Sequence, residues 1–434
     1  MEREVRPVFQ YHYLVWKDFQ APEHATGILR FLRRLNEDYS TDRGPILIHC
    51  SAGVGRTGTL VAIDHLVQQI EEEGSVSVLN TVCDLRHQRN FLVQSLKQYI
   101  FVYRTLMEWV QFGNTEIAIA NFQVRLIGNP CILLFELITF CFVYQNALTN
   151  LRMKTEGRVK SPLEEEFDRL DQPFDDRKPM NVSSSNENRA KNRYESAIPF
   201  DRNRVILTPV AGRDSSTYIN ASFIEGYDNS ESFILTQDPM ESTQRDFWRM
   251  VLEQNIVVIV MLSEMGDASD TSCCPQYWPD DDQEATHDHI VVKHVSTVTL
   301  PGYIQRDFVV RSTKTREEIR TTQIQYLGWG YCTNGLQDDS VPPPQQIPHF
   351  VTVATETIAA RARQLQPGSV CLHCSTGNIR SSVMAALCIL IEQARTEEYV
   401  DVFTTVRKLR SQRAHMIEFP MQYAFLYDAL ANYL

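Results

Sequence analysis

The residues best suited to chemistry lie in one run, His49-Cys50-Ser51-Ala52-Gly53-Val54-Gly55-Arg56-Thr57-Gly58. A free thiol ionises near pH ~8.5, and cations or a helix N-terminus lower that value. The apolar stretch Pro45–His49 predicts a buried strand ending before Cys50. Gly58–Glu73 predicts a helix with Leu60, Ile63, Val67 and Ile70 on one face and Gly74 closing it. The segment between them is then a strand-to-helix loop. Gly53 and Gly55 are expected to let successive N–H groups turn inward. Such a cradle binds a tetrahedral dianion at a helix start. Arg56 would close it with a planar fork. A thiolate beneath a bound phosphate is an in-line nucleophile, and Thr57 could steady it as a leaving group.

The same pattern returns 324 residues later as His373-Cys374-Ser375-Thr376-Gly377-Asn378-Ile379-Arg380. With no gap, that offset carries Leu85-Arg86-His87-Gln88-Arg89 onto Leu409-Arg410-Ser411-Gln412-Arg413. It also carries Gln98-Tyr99-Ile100-Phe101 onto Gln422-Tyr423-Ala424-Phe425. A repeat this long is a duplicated domain.

With these motifs the sequence resembles the tyrosine-specific protein phosphatases, above all receptor-type members with two tandem cytoplasmic domains. The invertebrate neuronal receptors are the nearest in character. The resemblance implies an α/β fold, a mixed twisted sheet flanked by helices, in two tandem copies. It implies Cys50 as nucleophile, Ser51, Ala52, Gly53, Val54 and Gly55 as the amide cradle and Arg56 as the phosphate-binding cation. Asp18, in Trp16-Lys17-Asp18, falls on the family's general acid, and Gln94 on the glutamine that positions the hydrolytic water. Lys17 departs from the family's proline; it leaves the loop less constrained and adds a charge beside the acid. The implied activity is hydrolysis of phosphotyrosine in proteins through a cysteinyl-phosphate, with no metal or organic cofactor. The implied partners are phosphotyrosine proteins. A contact between phosphatase domains and a membrane-anchored parent protein are also expected.

In the second copy Cys374 and Arg380 persist, but Ile379 replaces Gly55, Tyr331 stands where the acid belongs and Glu418 falls on Gln94. A phenol is a poor proton donor at neutral pH, and a carboxylate repels phosphate. Tyr194 matches the residue that stacks on phosphotyrosine. This copy reads as a folded pseudophosphatase with a regulatory role. The competing reading of the whole chain is a non-catalytic, phosphate-binding interaction module. Sulfur transfer by a rhodanese-like loop fits the Arg56-Thr57-Gly58 ending poorly.

The chain has 434 residues, 43% of them apolar, enough for two cores. A net charge of −12 argues against nucleic acid or an anionic membrane as the main partner. Ten cysteines without a small-domain disulfide framework suit a cytoplasmic setting. Cys371 and Cys374 form a C-x-x-C without a second ligand pair, so no metal is expected there. Cys273-Cys274 reads as a chance loop pair. Trp278-Pro279-Asp280 spells the acid motif but lies 94 residues before Cys374, against 32 between Asp18 and Cys50, and is read as a loop.

Residues 1–117 read as the C-terminal half of the first, catalytic-type domain, 118–160 as linker and 161–434 as the second domain. About 180 residues separate Tyr194 from Cys374, whereas 49 precede Cys50. The first copy is therefore expected to be truncated and weakly active. Residues 124–145 are apolar all round, short for a membrane span and carry Glu136. Their removal leaves Ile119, Phe122, Leu148 and Leu151 at helical spacing, which fits translated intron sequence better than a span or a core helix. Ser161-Pro162-Leu163-Glu164 signals a helix start. Pro179–Asn192, polar and rich in Ser and Asn, reads as flexible. Ile256–Leu262 and Ser369–His373 read as central strands, Gln237–Glu253 and Ser381–Arg395 as helices, and His287 and His289 as surface or strand-edge residues.

Overall fold

The structure is a computed structural model describing residues 8–22, 24–40, 42, 44–122, 162–170, 178–266, 273–329, 341–342, 344–364 and 368–434. The chain divides into two compact units between Thr115 and Glu116. Residues 124–145 and Tyr331 lie outside the described residues. No described helix is long and apolar enough to cross a membrane.

The first unit is built from helices α1 (Thr26–Asp38), α2 (Gly55–Glu73), α3 (Val78–Gln88) and α4 (Leu96–Phe112). Its core joins Ile28, Leu29 and Leu32 of α1 to Ile63 and Leu66 of α2 and to Phe101, Val102 and Leu106 of α4. Each set recurs at three or four residues, so each helix buries one stripe. Gly74 ends α2 in the left-handed conformation, its N–H bonded to the Ile70 carbonyl, as the sequence indicates. Ser95 and Gln98 form a capping box that starts α4.

One expectation fails here. Pro45–His49 is not a buried strand: it is irregular and mostly exposed, with Leu47 88% accessible. The second unit gives the physical reason. There the equivalent strand is hydrogen-bonded on both sides, and no described residue of the first unit forms a strand that could flank Pro45–His49. An apolar run makes a central strand only where neighbours satisfy its backbone.

The second unit opens with β1 (Ile117–Ala118) and α5 (Pro162–Arg169). The sheet strands follow as β2 (Arg204–Ile206), β3 (Tyr218–Ile224), β4 (Phe233–Gln237), then α6 (Gln244–Glu253) and β5 (Ile256–Met261). Next come β6 (Glu284–His287), β7 (Ile290–Leu300), β8 (Tyr303–Ser312) and β9 (Glu318–Tyr326). Helix α7 (Ile347–Ala362), β10 (Ser369–Cys374), α8 (Ile379–Thr396), β11 (Tyr399–Val400), α9 (Val402–Gln412) and α10 (Pro420–Tyr433) complete it. Nine strands form one mixed sheet in the order β2-β3-β4-β10-β5-β9-β8-β7-β6. The central β4, β10, β5 and β9 run parallel, and the remaining pairs are antiparallel. All six residues of β5 are buried, as expected of a strand covered on both faces. Helices flank the sheet: α6 packs on β5 and β8, and α8 follows β10.

Several local expectations need correction. Gln237 ends β4, and the helix begins only at Gln244, because Pro239 interrupts the chain. Pro179–Asn192 is held by its own polar side chains. Ser183 is buried and donates to the Pro199 carbonyl at 2.8 Å, Asn188 donates to Val182, and Asn192 donates to Ser183. Cys371 and Cys374 sit three apart on β10, a rise of roughly 10 Å, and point to opposite faces, so they cannot pair. Cys273 and Cys274 lie in a loop as read, and both are buried, with Cys274 forming an isolated bridge to Met265. Trp278 is buried with the Arg306 guanidinium 4.5 Å over its ring, and Trp278-Pro279-Asp280 is a loop as read.

Candidate active site

Cys50 lies at the end of the irregular segment, and α2 starts at Gly55, three residues earlier than the sequence pattern suggests. Gly53 has φ +68°, which turns its N–H onto the Cys50 sulfur at 3.2 Å. Partial burial opposes ionisation of that thiol. The side chain and amide of Thr57 and the amides of Gly53 and Val54 outweigh it, and the thiol is lowered from 9.0 to about 7. The Thr57 hydroxyl is buried and makes no hydrogen bond of ordinary geometry, so it is available to the sulfur.

Gly55 serves differently from the expectation. It has no positive φ; it is the first helical residue. A Cβ there would meet Gln98 Nε2 at 3.0 Å and Gln94 Oε1 at 3.2 Å. The glycine therefore makes room for two glutamines. Gln98 was not singled out by the chemistry of the loop, although the Ser95-x-x-Gln98 capping signature marks it. Its Oε1 accepts from the Gln94 and Ser95 amides, fixing the turn that carries Gln94. Arg89, also not singled out, reaches the Ala52 carbonyl of the cradle at 3.4 Å.

The guanidinium of Arg56 donates to the Trp16 carbonyl at 2.9 Å and forms an ion pair with Asp18. Its Nε is buried without a partner. Trp16 is buried against Phe101, with ring centroids 5.9 Å apart, and its indole N–H donates to the Gln20 carbonyl. The short loop it anchors carries Lys17 and Asp18 at its exposed tip. Phe19 adopts φ +58°, an uncommon conformation for an aromatic residue. Ser95 and Lys97 tie the loop to the start of α4 through the Phe19 carbonyl and the Gln20 side chain. The structure thus gathers Asp18, Cys50, Arg56 and Gln94 around Ser51–Gly55.

In the second unit Gly377 repeats the positive φ of Gly53, at +71°. A Cβ there would lie 2.4 Å from the Thr236 backbone, so only glycine fits. Ile379 stands where Gly55 does and, like it, opens a helix, so lost backbone freedom is not what the replacement changes. Cys374 is buried, with its sulfur 3.8 Å from the Thr376 hydroxyl. Arg380 donates to the Leu262 carbonyl and lies 5.1 Å over the Trp329 ring. Tyr194 shares a hydrogen bond with Ser375 at 3.0 Å. Glu418 is exposed and bonds His415 at 3.0 Å. Behind the loop, His373 bridges the Asp238 carboxylate (2.6 Å) and the Tyr277 hydroxyl (2.8 Å), and Gln323 donates to that hydroxyl. Its counterpart His49 is exposed.

A nine-stranded mixed sheet, a Cys-x5-Arg loop at a helix start and a recurring scaffold define a class. The chain belongs to the protein-tyrosine phosphatase family, whose sequence pattern it matches over residues 1–108 and 188–432. It is 48% identical to tyrosine-protein phosphatase 69D of Drosophila melanogaster over 100% of its own length and 28% of that protein's. A receptor-type tyrosine-protein phosphatase of Caenorhabditis elegans is 35% identical, over 99% of this chain and 31% of the relative. Receptor-type tyrosine-protein phosphatase S of Gallus gallus is 33% identical, over 99% and 26%. The chain spans about a quarter to a third of the length of these relatives.

Proposed function

We propose that the first unit hydrolyses phosphotyrosine in proteins through a cysteinyl-phosphate. The observation that carries this is the loop itself, in which Gly53 at positive φ turns its N–H onto the Cys50 sulfur at 3.2 Å while Arg56, at the start of α2, pairs with Asp18. Sulfur attacks phosphorus, the S–P bond forms, and the bond from phosphorus to the tyrosyl oxygen breaks. Asp18 gives its proton to the departing oxygen. Water, held by Gln94, then attacks phosphorus while Asp18 takes up its proton, and the thiolate leaves. In the resting unit Asp18 neutralises Arg56. A phosphate dianion would compete for that guanidinium and free Asp18, which must take up a proton from solvent before it can give one to the leaving oxygen. The receptor-type names of relatives support a membrane-anchored parent whose phosphatase units face the cytoplasm.

The second unit is assigned a regulatory role. Glu418 stands in place of Gln94, and Tyr194 is bonded to the loop it would leave open for substrate.

The full chain with p-nitrophenyl phosphate and a phosphotyrosine peptide tests both assignments. Cys50→Ser should abolish turnover and any acid-trapped phosphoenzyme, and Asp18→Ala should slow it by about a hundredfold or more. Cys374→Ser should leave it intact. Turnover indifferent to Cys50→Ser, or lost in Cys374→Ser, defeats the proposal.

A further inference from the structure

Asp18 can serve a departing oxygen only while its loop stays over Cys50, and Lys17 supplies no ring to fix the backbone there. Phe19, next to the acid, holds φ +58°, a conformation that its surroundings must maintain. Three side chains at the start of α4 reach the loop. The Ser95 hydroxyl donates to the Phe19 carbonyl at 3.3 Å, the Lys97 ammonium to Gln20 Oε1 at 3.0 Å and Gln98 Nε2 to the Gln20 carbonyl at 3.5 Å. That carbonyl also takes the Trp16 indole N–H at 2.8 Å, and the Gln20 amide donates to the Lys17 carbonyl at 3.2 Å. The loop is thus closed on itself between residues 16 and 20 and pinned to α4 by its last residue, with Asp18 paired to Arg56.

The second copy has lost two of these three donors. The 324-residue offset sets Ser95 on Phe419, Lys97 on Met421 and Gln98 on Gln422. Neither a phenyl ring nor a thioether can donate a hydrogen bond. Gln422 keeps its place, its Oε1 accepting from the Phe419 amide at 3.2 Å, while its Nε2 donates to the Ile379 carbonyl at 3.1 Å. The donors are gone from the copy whose acid position holds Tyr331. Helix α10 still begins at Pro420, the position that matches Leu96, where α4 begins. The ammonium of Lys97 is therefore not what starts the helix. Ser95 is a less clean case, because its hydroxyl also caps α4 by accepting from the Gln98 amide.

We propose that Lys97, through Gln20, is a positioning residue of the first unit. It holds the acid loop in the register that keeps Asp18 over the departing oxygen, and stands in for the rigidity that residue 17 does not supply. The inference rests on the acid role given to Asp18 above and adds to it a residue that touches neither substrate nor reacting atoms. One hydrogen bond from an ammonium on the surface is a small contribution, so its loss is felt mainly in the step that needs the acid.

The test compares Lys97→Met, Gln20→Met and the double variant in the full chain, with phenyl phosphate and 2,4-dinitrophenyl phosphate as substrates. Phenol, with a pKa of ~10 like that of tyrosine, needs the proton to leave; dinitrophenol leaves without it. Each single change should lower kcat/KM for phenyl phosphate about threefold and leave that for the dinitrophenyl ester nearly unchanged. The double variant should fall no further than either single one, because both remove the same contact. Lys97→Arg, which keeps a donor, should restore the value. A merely structural loss would lower both esters alike. Hydrogen exchange of a peptide covering residues 14–22, read by mass spectrometry, needs no turnover. Lys97→Met should quicken it about threefold and leave residues 60–70 unchanged. Equal losses on the two esters, additive effects of the two changes, or unmoved exchange at residues 14–22 overturn the proposal. Turnover that ignores Cys50→Ser would overturn the catalytic assignment instead, and the exchange rate would still decide whether Lys97 holds the loop.

Discussion

Replacing Thr57 by valine keeps the shape of the side chain and removes its hydroxyl, the strongest single contribution favouring the Cys50 thiolate. The lowering from 9.0 to about 7 is the net of that hydroxyl, three amides and an opposing burial. If the hydroxyl supplies about a third of the displacement, the midpoint rises to near ~7.7, and the thiolate fraction at pH 6 falls roughly fivefold. A more basic thiolate is also more nucleophilic, with a Brønsted slope of about 0.5, which returns roughly a factor of two. Iodoacetamide alkylation of Cys50, followed by mass spectrometry of its peptide, should therefore run about twofold slower at pH 6 and about twofold faster above pH ~9. The two pH profiles cross. The sign follows from ionisation: a thiol of depressed pKa reacts above its midpoint and falls silent as pH drops through it. A valine variant whose profile keeps its midpoint, or is lowered equally at every pH, refutes the assignment of that hydroxyl.

Gly377→Ala should destabilise the second unit by about 3 kcal/mol or more, because positive φ and a 2.4 Å approach to the Thr236 backbone act together; its thermal midpoint measures this. Arg413→Met strands a buried polar cluster, since that guanidinium donates to Ser222 and Asn220 at 3.0 and 2.7 Å. A loss of roughly 3–5 kcal/mol is expected by urea unfolding. Deleting residues 124–145 should leave the melting of the second unit unchanged. Phe122 on one side stacks on Tyr427 and Phe167 on the other packs on Tyr423, so both flanks keep their anchors.

Cys50 and Arg56 were legible because a spacing pattern records a loop that folds locally, with a glycine at positive φ, a helix start and two side chains within a few residues, whereas Asp18 and Gln94 came only through the family resemblance. The copies even share awkward backbone. Phe91 and Val93 take φ +65° and +59°, and His415 and Ile417 at the same offset take +58° and +49°. Pro45–His49 misled because a run of apolar residues reports a preference for burial and not the presence of neighbours. Gly55 misled for a related reason. Its need for space comes from Gln94 and Gln98, distant in sequence, and composition cannot tell room from rotation. The ordering of Pro179–Asn192 was hidden because short polar side chains look alike whether they bond water or close a turn on Pro199 and Val182.

The bare Pro45–His49 segment has a consequence for handling the protein. An exposed apolar stretch with no strand beside it among the described residues of its unit is a template onto which an identical stretch from another molecule can add, layer upon layer. Inclusion bodies at high expression, and cleavage near Leu47 by proteases that require extended chain, are the behaviour that follows.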